Sequence, residues 1–95
     1  MFKLTVLYPK GDGSTFDMEY YRAKHVPLVN RVLGPERAEI DQVVDGPYMA
    51  VGHFYYPSHE ALQAALGGPD VGEAMADVPN YTNVAAQIQI SEVLD

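Results

Sequence analysis

The first regular pattern along the chain is an alternation of apolar and polar side chains at residues 2–9. A period of two is typical of a β-strand with one buried face, and Pro9, which lacks a backbone N–H, predicts where the strand ends. A similar alternation over residues 84–94 predicts another strand. Residues 37–44 predict a weaker, polar strand that stops before the turn at Asp45-Gly46-Pro47.

A fourth strand is predicted at residues 48–56, and both of its faces carry apolar or aromatic side chains. We predict Met49, Val51, His53 and Tyr55 on one face and Tyr48, Ala50, Phe54 and Tyr56 on the other. A strand that is apolar on both faces needs to be covered on both.

Between the predicted strands at residues 2–9 and 37–44, the spacing of apolar residues is typical of a helix. Apolar positions recur there at intervals of three and four residues, with Asp17 as the predicted N-cap and Gly34-Pro35 as the end. Pro27 removes one backbone donor and predicts a kink. The predicted buried positions are Met18, Tyr21, His25, Leu28 and Val32.

Two shorter helices are predicted between the last two strands. Ser58 is the predicted N-cap of a helix that runs to about Leu66, and a second piece starts at Asp70 and stops at Pro79. The order of elements is therefore β, α, β, β, α, β.

This order predicts an α+β fold of the ferredoxin-like, split βαβ type, in which helices cover one face of an antiparallel sheet. Ninety-five residues suit one domain, residues 1–95. The second apolar face of the strand at 48–56 predicts a homodimer in which two sheets pack face to face.

Composition narrows the classes of function. The formal net charge of −7 and the lack of a basic stripe argue against nucleic-acid binding. We interpret the positive charges around the first helix as a solvated face; they are Arg22, Lys24, Arg31 and Arg37. No leader pattern or apolar run of membrane-spanning length is present, so we expect a cytoplasmic protein without a membrane partner.

Cofactor motifs are absent from the sequence. There is no cysteine, no HxH or HExxH spacing, no GxGxxG, no Walker lysine and no GxSxG. We therefore predict neither a metal site nor another cofactor.

His25 has two interpretations that the sequence leaves open. It is a core histidine that bonds a carbonyl loosened by Pro27, or a half-buried general base whose ordinary pKa of about 6.5 suits neutral pH. Tyr21, one helical turn earlier, and Tyr81 are the candidate partners that would stabilise an oxyanion. His53, Tyr55 and Asn80 are candidate substrate-binding residues, although each also suits a structural role in the core, the interface or a turn.

Several segments together resemble the EthD family, which is named for its association with ethyl tert-butyl ether degradation. They are LTVLYPKGDGSTFDMEYY (4–21), HVPL (25–28), GPYMAVGHFYY (46–56), DVPNYTN (77–83) and QIQISEVL (87–94). The resemblance implies a dimeric α+β barrel, a cleft lined by the helix that carries His25, and an association with a cytochrome P450 oxidation system. Similar small barrels include cofactor-free monooxygenases, isomerases and decarboxylases.

Three hypotheses about function follow. The first is a cofactor-independent enzyme that acts on a small apolar or aromatic oxygenated compound, with His25 as the base. The second is a non-catalytic module that binds such a ligand beside an oxygenase. The third is a structural dimer whose interior is packed; a cavity large enough for a ligand would argue against it.

Overall fold

The sheet has four antiparallel strands in the order β2-β3-β1-β4. The structure, a computed structural model, describes residues 1–94 of the chain. The strands are β1 (Phe2–Pro9), β2 (Arg37–Gln42), β3 (Tyr48–Tyr56) and β4 (Gln87–Glu92). Strands β1 and β3 are neighbours at the centre of the sheet. Helices connect β1 to the outer strand β2 and β3 to the outer strand β4, so the predicted ferredoxin-like α+β fold is confirmed.

Helix α1 consists of three consecutive segments with different hydrogen bonding. They are an α-helical start at Met18–Tyr20, a π-helical turn at Tyr21–His25 and an α-helical stretch at Val26–Leu33. Asp17 caps the start, since its carboxylate accepts the N–H of Tyr20 at 3.0 Å. Gly34, in a left-handed conformation, ends the helix.

Two shorter helices follow β3. Helix α2 (His59–Leu66) is capped by Ser58, whose hydroxyl accepts the N–H of Ala61 at 3.0 Å, as predicted. Helix α3 (Val71–Asp77) continues into a 3-10 turn at Val78–Asn80. Within residues 1–94, no helix is long and apolar enough to cross a membrane.

The core between the helices and the sheet divides into an aliphatic part and an aromatic part. Leu4, Val29, Phe54 and Leu62 are central to the aliphatic part. The aromatic part gathers Tyr8, Tyr21 and Tyr81 around Ala50. Burial of this apolar surface is the main force that holds the helices on the sheet.

The π-helical turn changes which residues of α1 are buried. The N–H of Val26 bonds to the carbonyl of Tyr21, five residues earlier, instead of four. One additional residue in this turn moves the buried row from Leu28 to Val29, which is 4% exposed. The predicted irregularity beside Pro27 is therefore a π-helical turn, and Leu28, a predicted buried position, is only half-buried.

The strand boundaries also differ from the predicted ones. Strand β2 ends at Gln42 instead of residue 44, and β4 begins at Gln87 instead of residue 84. A register shift between Tyr8 and Pro9 interrupts the pairing where β3 begins. The predicted strict alternation along β3 therefore applies to its regular part, from Ala50 onwards.

The face of the sheet away from the helices, here called the open face, is more polar than β3 alone predicts. Leu7 and Val51 pair on it and form an apolar centre. Strands β2 and β4 add polar side chains around that centre, namely Arg37, Glu39, Asp41, Gln87 and Gln89.

Candidate functional site

A cavity of about 550 Å³ lies between the sheet and helices α1 and α3. It is of the size that holds a small organic ligand. Its wall is apolar except for three ring-bearing residues at one end, Tyr8, Tyr21 and His25. The remaining lining residues are Leu4, Val6, Val29, Leu33, Phe54, Leu66, Val71, Ala74, Met75, Val78, Ala85, Ala86 and Ile88.

The π-helical turn places His25 in this wall. The His25 ring stacks on Tyr21, with ring centroids 5.4 Å apart and an angle of 22° between the planes. Tyr81 packs against the same ring at 4.6 Å. The residue is only 5% exposed, so its orientation is set by packing on both sides.

Asp77 forms a hydrogen bond with the Nδ1 nitrogen of the His25 ring. The distance between His25 Nδ1 and Asp77 Oδ2 is 3.0 Å. The other carboxylate oxygen, Oδ1, accepts the Tyr20 hydroxyl at 2.7 Å and the Asn80 side-chain amide at 3.0 Å. Because both oxygens are engaged, the carboxylate has a fixed orientation toward the histidine.

The surroundings favour a neutral His25 beside an ionised Asp77. Burial lowers the pKa of His25, and this effect outweighs the hydrogen bond and the charge of Asp77, which raise it. Burial alone would raise the pKa of Asp77, but hydrogen bonds from Asn80, Tyr20 and His25 lower it below its ordinary value. In this state Nδ1–H donates to the carboxylate, and Nε2 carries a free lone pair.

The tyrosine hydroxyls near His25 are turned toward each other and toward the sheet. The hydroxyl oxygens of Tyr8 and Tyr81 lie 2.7 Å apart. The Tyr21 hydroxyl lies over Gly52, where a methyl group would come within 2.6 Å of its oxygen. Burial raises the pKa of Tyr8, Tyr21 and Tyr81 well above the ordinary value, so all three phenols are neutral at physiological pH.

The structure brings four of the six candidate residues together. Tyr21 and His25 line the cavity, while Tyr81 lies behind the His25 ring and is not among the lining residues. Asn80 contacts Asp77 instead of the cavity. The geometry thus places Tyr81 and Asn80 where they position the histidine–aspartate pair.

The other two candidates, His53 and Tyr55, lie on the open face and are separated from this cavity by the sheet. His53 Nε2 lies 2.9 Å from Asp41 Oδ2, and the Tyr55 hydroxyl donates to Glu39 at 2.6 Å. The Arg37 guanidinium lies 4.2 Å from the centre of the Tyr55 ring. Both residues belong to a polar network on the open face.

Asp77 is a site residue that the sequence reasoning missed, and the Tyr20 hydroxyl donates to it. Asp77 opens the DVPNYTN segment, three residues before Asn80, which is the spacing that lets an amide reach back to a carboxylate. Tyr20 projects about 100° away from Tyr21 on a helix, and this direction takes its hydroxyl to Asp77. The carboxylate in the quoted motif is the signal that could have identified the pair.

Within residues 1–94, no three His, Cys, Asp or Glu side chains lie together in a way that could hold a metal ion.

The chain matches one family model and is similar to a protein of Rhodococcus erythropolis. The EthD domain model matches residues 14–85. An uncharacterized 11.0 kDa protein from the thcB–thcC intergenic region of Rhodococcus erythropolis is 30% identical over 89 residues, which are 87% of this chain and 85% of that protein.

Two crystal structures share the whole fold. An EthD-like protein from Ralstonia eutropha superimposes with a TM-score of 0.89 at 32% identity, over 99% of this chain and 92% of that chain. An ethyl tert-butyl ether degradation (EthD) family protein from Bacillus halodurans superimposes with a TM-score of 0.78 over 99% of both chains. At 23% identity, the second likeness concerns the fold alone.

Proposed function

The chain belongs to the EthD family, and from this premise we propose that it binds a small apolar or aromatic oxygenated molecule in the cavity beside His25. We propose further that His25 takes a proton from that molecule. One observation carries the proposal: in the part of the cavity wall formed by residues 1–94, the one ionisable nitrogen-bearing side chain is His25, whose ring is held 3.0 Å from a carboxylate.

The proposed step is a proton transfer from the bound molecule to His25 Nε2. The bond between the proton and the carbon or oxygen of the molecule breaks, and its electron pair stays on the molecule as an enolate or phenolate. The imidazolium that forms is stabilised by Asp77, whose carboxylate already accepts Nδ1–H. A base of this kind accounts for roughly 10²- to 10⁴-fold in rate.

Tyr21 and Tyr81 hold the base in place in this scheme. Each packs against the His25 ring, at 5.4 Å and 4.6 Å between ring centroids. Since a base acts only within hydrogen-bond reach of the proton, a ring fixed from both sides lowers the cost of reaching that geometry.

A second candidate function is binding without turnover, as a module that holds the substrate or product of a partner oxygenase. The 2.7 Å hydrogen bond between the Tyr8 and Tyr81 hydroxyls favours it, because this bond uses the hydrogen of one of them and Tyr81 does not line the cavity, which reduces the donors available to a developing oxyanion. The same family resemblance would then place the protein beside a cytochrome P450 system.

Deuterium exchange distinguishes the two functions. In D₂O, an enzyme of the proposed type should incorporate deuterium at the activated carbon of a bound alkyl-substituted 2-hydroxycyclohexanone. The His25→Gln variant should lose on the order of 10²-fold or more of this rate and keep most of its affinity. The matched control is His59→Gln, because His59 is exposed on α2 and away from the cavity.

Equal exchange rates for wild type and His25→Gln, with binding intact in both, would overturn the catalytic proposal and leave the binding module. Failure of this hydroxyketone to bind to either protein would count against the cavity as a ligand site.

We also propose that a second copy of the chain covers the open face. Its apolar centre at Leu7 and Val51 is surrounded by charges of both signs, which suits a self-complementary interface. Thr5 Oγ1 and His53 Nδ1 are buried there without a hydrogen-bond partner in the described part of the chain. Groups from a second sheet would satisfy these atoms.

A further inference from the structure

The cavity has a polar end and an apolar end. Tyr21, His25, Val29 and Leu33 follow one another along α1, and the first two are polar while the last two are aliphatic. Leu33 follows Tyr21 by twelve positions, roughly 18 Å along a helix that rises 1.5 Å per residue. A molecule that fills the cavity therefore meets hydrogen-bonding groups at one end only.

The cavity opens to the protein surface between α3 and β4. Met75 of α3 and Ile88 of β4 line the cavity and are 69% and 62% exposed. An apolar rim of this kind suits a ligand whose apolar body extends out of the cavity, because the exposed part still buries apolar surface on binding.

The polar end offers a hydrogen-bond acceptor on His25, and its phenol hydroxyls are turned toward one another and toward the sheet. Tyr8 and Tyr81 share one hydrogen bond, which uses the hydrogen of one of the two hydroxyls, and the Tyr21 hydroxyl lies over Gly52. His25 uses Nδ1–H on Asp77 and keeps the Nε2 lone pair. The group that satisfies Nε2 must therefore be a hydrogen-bond donor, and a molecule with acceptors only would leave it unpaired.

The charges around the polar end disfavour an anion. Among residues 1–94, no lysine or arginine lines the cavity, and the Asp77 carboxylate lies 3.0 Å from Nδ1 of His25. Moving a carboxylate into this apolar space would cost solvation without a positive partner.

We infer that the molecule in this cavity is a neutral amphiphile with an apolar body and one hydroxyl group, a phenol, enol or alcohol, that donates to Nε2 of His25. This assignment rests on the proposed function, since it names the ligand class of the same site. It separates the ligand from ethers and esters, which have no donor, and from carboxylates, which are charged.

Three molecules that share one alkyl chain test the assignment: para-hexylphenol, its methyl ether and para-hexylbenzoate. Their affinities for the wild-type protein are measured by titration calorimetry. The phenol should bind about three- to tenfold more tightly than the ether, the value of one hydrogen bond. The benzoate should bind more weakly than both.

The His25→Gln variant adds a test that a loss of folding cannot imitate. The glutamine amide offers a donor as well as an acceptor, so the ether should gain affinity while the phenol keeps its own. His59→Gln should retain the wild-type ranking. An ether or benzoate that binds the wild type as tightly as the phenol would overturn the assignment.

The assignment and the proposed function fail in different ways. Phenol selectivity without any His25-dependent deuterium exchange supports the ligand class and refutes catalysis. His25-dependent exchange without selectivity for the phenol refutes the ligand class and leaves catalysis standing. Failure of all three molecules to bind would overturn the assignment together with the cavity as a ligand site.

Discussion

The two nitrogens of His25 have different surroundings, and this difference determines what the residue can do. Nδ1 lies on the side of Asp77, whereas the remainder of the ring lines an apolar cavity. An imidazole whose tautomer is set by a carboxylate presents its lone pair on the opposite side. The residue is thereby prepared to accept a proton without changing its orientation.

Replacing Asp77 with asparagine should alter the pKa of His25 in a predictable direction. The hydrogen bond and the charge of Asp77 both raise that pKa, so their loss should lower it further below the ordinary value. Deuterium exchange should fall by on the order of 10²-fold or more, because the ring loses its orienting partner. NMR titration of the His25 ring measures the pKa.

Asp70→Asn is the matched control, since the Asp70 side chain makes no cap hydrogen bond at the start of α3. A pKa of His25 that rises in Asp77→Asn would contradict the assigned charge state of the pair.

Acidification should destabilise the folded protein through His25. Burial lowers the folded-state pKa of His25 below the value near 6.5 that it has in the unfolded chain. Between these two values the unfolded state binds more protons, so the free energy of unfolding decreases as the pH falls below about 6.5. Asp77 adds a second loss at lower pH, because its folded-state pKa lies below 3.8.

Urea denaturation between neutral pH and about pH 5 measures the first of these losses. The decrease in the free energy of unfolding over this pH range should be smaller in His25→Gln than in the wild type. In His59→Gln it should equal that of the wild type. Stability that increases on acidification in this range would show that His25 is not buried in its neutral form.

At the scale of elements, β3 and α1 touch where the sheet lacks a side chain. Gly52 of β3 leaves the space that the Tyr21 hydroxyl occupies. A methyl group there would lie 2.6 Å from that oxygen and 3.0 Å from a Phe54 ring carbon. The position of the π-helical turn over the sheet therefore depends on one glycine in the strand.

Gly52→Ala should lower the free energy of unfolding by about 1–3 kcal/mol, the usual cost of an extra methyl group in a filled core. It should also shift the NMR signals of His25, because Tyr21 stacks on that ring. The control is Gly72→Ala in α3, where the added methyl group would have no atom within 4 Å apart from the adjoining residues and the backbone of its own helix. A Gly52→Ala protein as stable as the wild type would show that Tyr21 can move away freely.

The elements differ in how far the sequence predicts them, for identifiable reasons. Strand β1, strand β3 and the Ser58 cap depend on local alternation and local hydrogen bonds, and these predictions are confirmed. The π-helical turn depends on a shift in backbone bonding that side-chain spacing does not reveal. Asp77 and His25 lie 52 positions apart, so their contact arises only from packing of α3 on α1.

For the candidate residues on β3, the sequence predicts which side chains share a face but not which face the helices cover. Alternation correctly groups His53 with Tyr55, but it does not say which face of the strand the helices cover. The structure answers this, because Phe54 lies in the helix-covered core. The resemblance to the EthD family, carried by HVPL and DVPNYTN, is confirmed by the match over residues 14–85.

At the scale of the whole molecule, the helices cover one face of the sheet and leave the open face without cover from residues 1–94 of the same chain. The open face combines Leu7 and Val51 with a surrounding network of charged and hydrogen-bonded groups. We expect two copies to associate through it, with the ligand cavity of each copy on the opposite side of its sheet. The two cavities would then act independently.

Light scattering tests this assembly. The wild-type protein at micromolar concentration should have twice the mass of one chain, and Val51→Lys should have the mass of one, because a charge at the apolar centre is costly to bury. Val44→Lys is the control, since Val44 is 97% exposed between β2 and β3. A monodisperse monomer for the wild type would contradict the dimer.

The π-helical turn of α1 has a consequence for sequence length in this region. Such a turn holds one residue more than the α-helical turn it replaces. Deleting the exposed Ala23 would replace the π-helical turn by a regular α-helical turn and leave the helix on both sides in nearly the same rotational orientation. A homologue that is one residue shorter between Tyr21 and His25 would then still direct its histidine toward the aspartate, so a one-residue gap in an alignment at this place is compatible with an intact site.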